Sequence, residues 1–199
     1  MGSIMHLCSK AILLNKGQVV IYDKTSTVVE TYLSLGKGIS NKYKSATSKQ
    51  LQEYYFDEIY TVNQKEEETD QFGFSEPVTV IIKLVAKKRY SNVLVGFNLI
   101  NNYGNYVSSS LHELIYDEYK KNINYEFRIT VPHSIIAPNM YSFRFAIFGG
   151  NGKLYDVLES ECQFKINDTG SPLASFEGVD YGNVILDFNW KKSNSKILQ

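Results

Sequence analysis

The stretch MYSFRFAIFGGNGKLYDVL, residues 140–158, decides the fold, because apolar and polar side chains alternate along it on both sides of a glycine-rich turn. Alternation with a period of two is typical of a strand that buries one face. The buried face is predicted to carry Tyr141, Phe143, Phe145 and Ile147. Gly150-Asn151-Gly152 supplies residues that accept the positive φ of a tight turn. The stretch therefore predicts a β-hairpin packed on a core through one face.

Segments of the same kind occur on both sides of this hairpin, separated by turn residues. In "ESECQFKI" the inward side chains are predicted to be Cys162, Phe164 and Ile166, and "YEFRITVP" alternates strictly. Seven or eight short strands of this type predict an all-β fold, an immunoglobulin-like antiparallel β-sandwich. The predicted strands lie in residues 51–62, 77–86, 91–100, 106–114, 125–132, 140–158, 159–166 and 183–190.

The first 50 residues differ in character from the rest. "AILL" and "VVIY" flank the turn at Asn15-Lys16-Gly17, and "STVVETYLS" has the apolar spacing of a short helix. Residues 36–50 carry lysine, serine and glycine with little apolar surface, which is typical of a mobile linker. We therefore predict a hairpin–helix segment over 1–35, a linker over 36–50 and a sandwich over 51–199.

Composition excludes several classes of function. The chain has 21 basic and 21 acidic residues, so no basic excess points to a nucleic-acid partner. Its two cysteines are too few for a disulfide scaffold or a zinc site. No apolar run approaches the roughly 20 residues that span a bilayer. We predict a cytoplasmic protein without a metal or a cofactor.

A resemblance explains the hairpin–helix segment. Met1, Ile4, Leu7, Cys8, Lys10, Ala11, Ile12, Leu14 and Gly17 match the pattern found near the C-terminal end of an ABC-transporter nucleotide-binding domain. The rest of the chain is similar to the C-terminal domain of Wzt-type ATP-binding subunits, through "FGFSEPVTVIIKLVA", "VGFNLINNYGNYV" and "GNVILDFNW". Those subunits serve exporters of O-antigen and related polysaccharides in lipopolysaccharide biosynthesis.

The resemblance implies that the chain is part of a longer subunit, which would be an ATPase. It implies a polysaccharide ligand and a homodimer, in a family known to exchange its terminal strand. It also implies a transmembrane partner subunit, reached through the parent protein at the inner face of the cytoplasmic membrane.

Catalysis is not predicted for this chain itself. The sequence has no Walker A loop, no Walker B strand and no signature motif of an ATPase. His6 lies downstream of the family's switch histidine, and His112 and His133 accompany no nucleophile motif. The carboxylate pairs Asp57-Glu58, Asp117-Glu118 and Asp180-Asp187 are not distinguished from solvated strand-end charges.

The remaining class is binding, and a sugar site combines aromatic rings with planar hydrogen-bonding groups. Alternation places Val95, Phe97 and Leu99 inward and leaves Asn98 and Arg144 to form an outward polar floor. The candidate stacking partners are Phe148, Tyr103, Tyr106 and Tyr155.

Simpler roles are open for the same residues. Arg144 could equally well form a surface charge pair, and Phe148 could cover the edge of a sheet. The loop tyrosines fit packing on their own hairpin, and Trp190 fits core, site or dimer contact.

Two functions follow from this sequence. The first is a carbohydrate-recognition module that captures a specific polysaccharide for export. The alternative is a dimerisation or docking module of the transporter ATPase without direct glycan binding. The tether "NDTGSPLASFEGVDYG" is long enough for the last strand, "NVILDFNW", to complete either its own sheet or that of a second copy.

Overall fold

The computed structural model describes residues 4, 7–36, 40–115, 122–176 and 181–191. Its N-terminal part is the predicted hairpin and helix. The strands β1 (Lys10–Asn15) and β2 (Gln18–Lys24) pair antiparallel, and helix α1 (Thr25–Gly36) follows directly. The turn has positive φ at Lys16 (50°) and Gly17 (80°). Leu13, Val28 and Val29 are buried, so α1 and the hairpin share a small apolar contact.

Two packed sheets form most of the rest of the described chain. The four-stranded sheet has the order β3-β4-β6-β9, and the five-stranded sheet has the order β5-β11-β10-β7-β8. Neighbouring strands are antiparallel except for the parallel pair β11 and β5. The strands are β3 (Lys42–Lys44), β4 (Tyr54–Val62), β5 (Gln71–Gly73), β6 (Val78–Ala86), β7 (Val93–Asn101), β8 (Tyr106–Glu113), β9 (Ile123–Val131), β10 (Asn139–Gly149) and β11 (Leu154–Asn167). The predicted all-β sandwich is confirmed.

The core lies between the inner faces of these sheets. All four side chains predicted to point inward from β10 are buried: Tyr141, Phe143, Phe145 and Ile147. The ring of Phe143 stacks on Phe145 at 5.5 Å and on Phe164 at 5.4 Å, and it meets Phe97 edge-on at 5.7 Å. The predicted inward set of β11, Cys162, Phe164 and Ile166, is buried as well. Alternation therefore assigned these side chains to the correct face.

The segment predicted to be a mobile linker differs from that prediction. Lys42–Lys44 form β3 and pair with β4, and residues 47–51 form a 3-10 turn. The backbone N–H of Gln163 donates to the Ser40 carbonyl at 2.9 Å. The backbone and hydroxyl of Ser45 both donate to Asp57. These bonds attach residues 40–51 to the sandwich.

A buried ion pair strengthens this attachment. Lys49 Nζ lies 2.6 Å from Asp156 Oδ1, and only 4 % of the Asp156 side chain is exposed. The carboxylate also accepts the backbone N–H of Phe56 and of Val157, each at 2.9 Å. Asp156 therefore connects the 3-10 turn, β4 and β11 at one point.

Strand β11 is one continuous element of 14 residues, where the sequence predicts a hairpin arm followed by a separate strand. Its pairing with β10 shifts register between Tyr141 and Phe143 and again between Phe143 and Phe145. Ser160 (φ 54°) and Cys162 (φ 51°) take up the left-handed conformation that these bulges require. Burial raises the pKa of the Cys162 thiol to about 12.

The predicted last strand, residues 183–190, joins neither sheet of the described structure. Val184 forms an isolated antiparallel bridge with Ile136, supported by backbone bonds that join Asn183 to Ala137 and Ile185 to Ile135. Beyond this contact Leu186, Phe188 and Trp190 are 56 %, 67 % and 92 % exposed. This segment therefore presents apolar side chains at every second position to solvent.

Candidate functional site

The outward side of the five-stranded sheet, called here the outer face, brings the central predicted residues together. Arg144 of β10 lies directly opposite Asn98 of β7 in the register, and Asn98 lies opposite Ser109 of β8. Asn98 Nδ2 donates to Ser109 Oγ at 2.7 Å, and Arg144 Nε donates to Glu159 Oε1 at 2.8 Å. These four residues form a polar row that crosses four strands: Ser109, Asn98, Arg144 and Glu159.

An apolar row runs beside the polar row, one pleat further along the strands. It consists of Leu111, Gly96, Ala146 and Val157, which are paired across the same four strands. A Cβ at Gly96 would lie 2.5 Å from Leu111 Cδ2 and 3.7 Å from Phe148 Cε1. Leu111 therefore lies across β7 next to the ring of Phe148. Gly96 and Ala146 are buried, so the apolar surface beside the polar row comes from exposed Leu111 and half-buried Val157.

The tyrosines of the β7–β8 turn lie at the other end of this face. Tyr106 pairs with Ile100 in the register, so it shares the outward side with Asn98, and its side chain is exposed. Tyr103 is half-buried in the turn, where its backbone N–H donates to Asn101 Oδ1 at 3.0 Å. Tyr106 is therefore placed to contact a ligand on the outer face, and Tyr103 belongs to the turn beside it.

Tyr155 does not belong with these residues, and its predicted place beside Asn98 and Arg144 is wrong. The register of β10 and β11 shifts between Ile147 and Phe148, which directs Tyr155 to the core side. Its ring packs on buried Tyr54 at 4.6 Å and stacks on Tyr90 at 6.0 Å. Alternation could not reveal a bulge that reverses the direction of one side chain.

Charged groups surround this tyrosine cluster at the end of the sandwich. Lys153 Nζ lies 4.7 Å from the centre of the Tyr155 ring and 3.2 Å from Glu53 Oε2. The hydrogen bond to Glu53 raises the pKa of Lys153, and the same bond lowers the pKa of Glu53. Both groups are largely solvated, so the pair contributes little to stability. The aromatic and charged groups of this cluster already contact one another.

The outward side of the four-stranded sheet has a different character. Lys42 and Lys83 both lie over the ring of Tyr60, at 5.0 and 5.2 Å, and both pair with Glu58. The hydrogen bonds from Lys83 and then Lys42 lower the pKa of Glu58. Arg128 makes two hydrogen bonds to Glu66. These charged side chains of the four-stranded sheet engage one another.

Two members of the polar row, Ser109 and Glu159, were not predicted from the sequence. Their positions follow from which strands become neighbours, and a single strand's pattern does not contain that information. The sequence did contain one signal of a site here, Gly96, because a glycine within a strand often marks a position where a ligand or another segment approaches the backbone closely.

The other titratable residues considered from the sequence form no catalytic arrangement in the described structure. Asp57 accepts from Ser45, His112 meets the Phe127 ring edge-on at 5.2 Å, and exposed His133 contacts Ser134. Among the described residues no group of three or more His, Cys, Asp or Glu side chains could hold a metal ion. His6, Asp117, Glu118 and Asp180 lie outside the described residues.

None of the helices in the described part of the chain is long and apolar enough to cross a membrane.

Comparison with known proteins gives the family. No curated protein sequence matches the chain significantly. A solved structure described as "Crystal structure of the C-terminal domain of wzt" is similar with a TM-score of 0.54 and 10 % identity, covering 79 % of this chain and 90 % of that one. At that identity the similarity shows the fold.

A β-glucuronidase of glycoside hydrolase family 2 is similar over 55 % of this chain and 11 % of that one, with 14 % identity and a TM-score of 0.35, which is too low to support an argument. The family model described as the Wzt C-terminal domain matches residues 45–179, more than half of the sequence. The chain therefore belongs to the Wzt C-terminal domain family.

Proposed function

We propose that this chain is the carbohydrate-recognition module of a polysaccharide ABC exporter, and that it binds an O-antigen-type glycan on the outer face. The family supports a non-catalytic, polysaccharide-related module of an ABC exporter. The observation that carries the proposal is the polar row beside the apolar row. Sugar rings have apolar C–H faces and hydroxyl edges, and this surface offers a partner for each.

The existing contacts favour a preorganised site. Asn98 and Arg144 are each held by a hydrogen bond to a neighbouring side chain. A side chain that is already oriented loses less rotamer freedom when a ligand arrives. Phe148 and Tyr106 stand at the two ends of the same face, on either side of the polar row.

The parent subunit gives this activity its setting. We expect the module to act in the cytoplasm, at the inner face of the membrane, with the transmembrane subunit contacted through the rest of the parent protein. We expect residues 1–35 to complete the nucleotide-binding domain of that parent. We expect residues 51–199 to form the binding domain together with residues 40–50, which are attached to the sandwich. No nucleic acid takes part.

Arg144→Ala and Asn98→Ala are each expected to weaken glycan binding without unfolding the domain. The lost hydrogen bonds should cost about 0.5 to 3 kcal/mol of binding free energy, with the larger value for the charged Arg144. Isothermal titration calorimetry with surface polysaccharide purified from cells that carry this chain measures the effect.

Arg128→Ala and Asn124→Ala are the matched controls, because they remove the same residue types from the outward side of the opposite sheet. The four variants should show the circular dichroism spectrum of the parent chain. Equal affinity in all four would place the glycan elsewhere on the molecule.

A second function, dimerisation through the C-terminal segment, is favoured by a separate observation. Leu186, Phe188 and Trp190 are exposed beyond the bridge between Val184 and Ile136. An extended segment with alternating apolar residues can add to a sheet edge of a second copy, where it would cover its apolar side chains. We propose a homodimer in which this segment is exchanged.

Truncation after Asp180 is expected to convert the dimer into a monomer, because the exchanged segment is removed and the edge that received it loses its partner. Light scattering measures the mass, and circular dichroism confirms that the sandwich persists. The triple variant Leu186→Ser, Phe188→Ser and Trp190→Ser keeps the chain length and should have the same effect. A truncated chain that stays folded and dimeric would rule out exchange.

A further inference from the structure

We infer that the glycan crosses the strands along the polar row, and that the row takes a run of about three uncharged sugar residues. This inference rests on the proposed function, since it specifies the ligand of the same surface. It depends on three features of the structure: the direction and length of the row, the hydrogen-bonding groups at each position, and the local neutrality of the charge.

The direction follows from the sheet register. Ser109, Asn98, Arg144 and Glu159 come from β8, β7, β10 and β11, so the line through them is perpendicular to the strands. Neighbouring strands are about 4.8 Å apart, and the three gaps give the row a length of roughly 14 Å. A sugar residue in an extended chain advances by a distance similar to one strand gap. The row is therefore matched to about three residues.

Each position of the row retains groups suited to hydroxyls. Arg144 uses Nε for Glu159, and its two terminal nitrogens carry four more N–H donors. The Asn98 side chain uses one N–H for Ser109 and has a carbonyl oxygen that accepts. Glu159 contributes further acceptor lone pairs. Because a sugar hydroxyl both donates and accepts, donors and acceptors that alternate along a line suit a polyhydroxylated chain.

The charge of the row argues for uncharged sugars. The positive charge of Arg144 is compensated by Glu159 at 2.8 Å, so the row has no net charge. A uronic acid or a phosphate on the glycan would bring a second anion close to the Glu159 carboxylate. Like charges at that separation repel, and the repulsion would offset the attraction to Arg144.

The backbone of β11 supports a binding role for Glu159. Ser160 and Cys162, one and three residues further on, both have positive φ although neither is a glycine. A non-glycine residue in this region costs of order 1 to 3 kcal/mol, and such strain clusters at functional sites. The register of Ala146 with Val157 and of Phe145 with Leu158 continues to Glu159 opposite Arg144, and the bulges begin immediately after it. The strained segment therefore directly follows the acid that pairs with Arg144.

The apolar row fixes which edge of the sugars meets the polar row. Leu111, whose side chain is 63 % exposed, lies over Gly96 immediately beside Asn98. A sugar residue on the polar row would rest its C–H groups on Leu111 and direct hydroxyls to Asn98. Gly96 and Ala146 are buried, so this apolar contact is confined to the Leu111 end of the row, with half-buried Val157 at the other end.

The test uses the full chain with surface polysaccharide from cells that carry it, cut by partial acid hydrolysis and separated into mono- to hexasaccharides. Calorimetry of the parent chain should show affinity rising to about the trisaccharide and then levelling. Ser109→Ala and Glu159→Gln, at opposite ends of the row, should each weaken trisaccharide binding about 3- to 10-fold. Glu113→Gln, the same change on the same face beside Leu94, should alter it less than about 2-fold.

Salt tests the charge class. The affinity for the trisaccharide should change less than about 2-fold between about 50 and 500 mM NaCl, since ionic screening has little effect on uncharged sugars. A tenfold loss would overturn the assignment to uncharged residues.

The remaining outcomes distinguish a failure of this inference from a failure of the proposed function. A loss in Glu113→Gln with none in Ser109→Ala and Glu159→Gln would mean that the glycan runs along the strands. Levelling at the monosaccharide would mean recognition of one terminal sugar, and either result overturns the inference while the module still binds glycan. Absence of binding to the intact polysaccharide would overturn the proposed function itself.

Discussion

Asp156→Ala is expected to lower the free energy of unfolding by about 3 to 5 kcal/mol, the range for removing one partner of a buried ion pair. The change leaves the backbone N–H groups of Phe56 and Val157 without their acceptor and Lys49 without its counter-ion. It also releases the 3-10 turn at residues 47–51 from the sheets. Urea unfolding followed by far-UV circular dichroism measures the loss.

The matched control is Glu159→Ala, which truncates an acid of the same strand in an exposed pair. The Glu159 side chain is 63 % exposed, so its loss should cost less than about 1 kcal/mol. If the two variants lose equal stability, the Lys49–Asp156 pair does not anchor the turn in the way described here.

The pH dependence of this anchor has a definite sign. Burial by itself lowers the pKa of Lys49, but the hydrogen bond to Asp156 is the main effect that outweighs burial and raises the pKa above its ordinary value. A raised pKa in the folded state means that the contribution is complete below the ordinary value. It is lost as the pH rises through the raised value, so the anchor is intact at neutral pH.

Phe143→Ala should reduce the free energy of unfolding by a similar amount, about 3 to 5 kcal/mol, because it opens a cavity at the centre of the core. The side chain is fully buried, and three aromatic rings, those of Phe97, Phe145 and Phe164, contact it. Those rings are held by three different strands, β7, β10 and β11. They can therefore move only a little into the space that the Phe143 ring leaves. The urea midpoint should fall with little change in the slope.

Phe148→Ala on the same strand is the internal comparison. Phe148 points to the outer face and is half-buried, so the same truncation there should cost clearly less stability. Equal costs at the two positions would contradict the assignment of inner and outer faces on β10.

Local pattern was enough to predict most of the fold. The alternation in β10 assigned Tyr141, Phe143, Phe145 and Ile147 to the core, because the period of two is a property of the strand alone. The short strands β3 and β5 were not predicted, since three residues with few apolar side chains carry no periodic signal. They form because neighbouring strands β4 and β11 offer them a free edge.

The candidate site was predicted only in its centre. Asn98 and Arg144 followed from the outward positions of two strands, and the register then placed them side by side. Ser109 and Glu159 required knowledge of the strands on each side, and Tyr155 required knowledge of a bulge. These features arise from tertiary pairing, which a single sequence does not display residue by residue.

The attachment of residues 40–51 to the sandwich limits the mechanical reach of the module. Residues 36–50, had they been a free tether, would have a contour length of about 50 Å, whereas the four peptide steps from Gly36 to Ser40 span at most about 15 Å. The volume that the module can sweep around helix α1 therefore shrinks by more than about tenfold, since it scales with the cube of the reach. The glycan that we propose as the ligand would therefore meet the module close to the hairpin and helix.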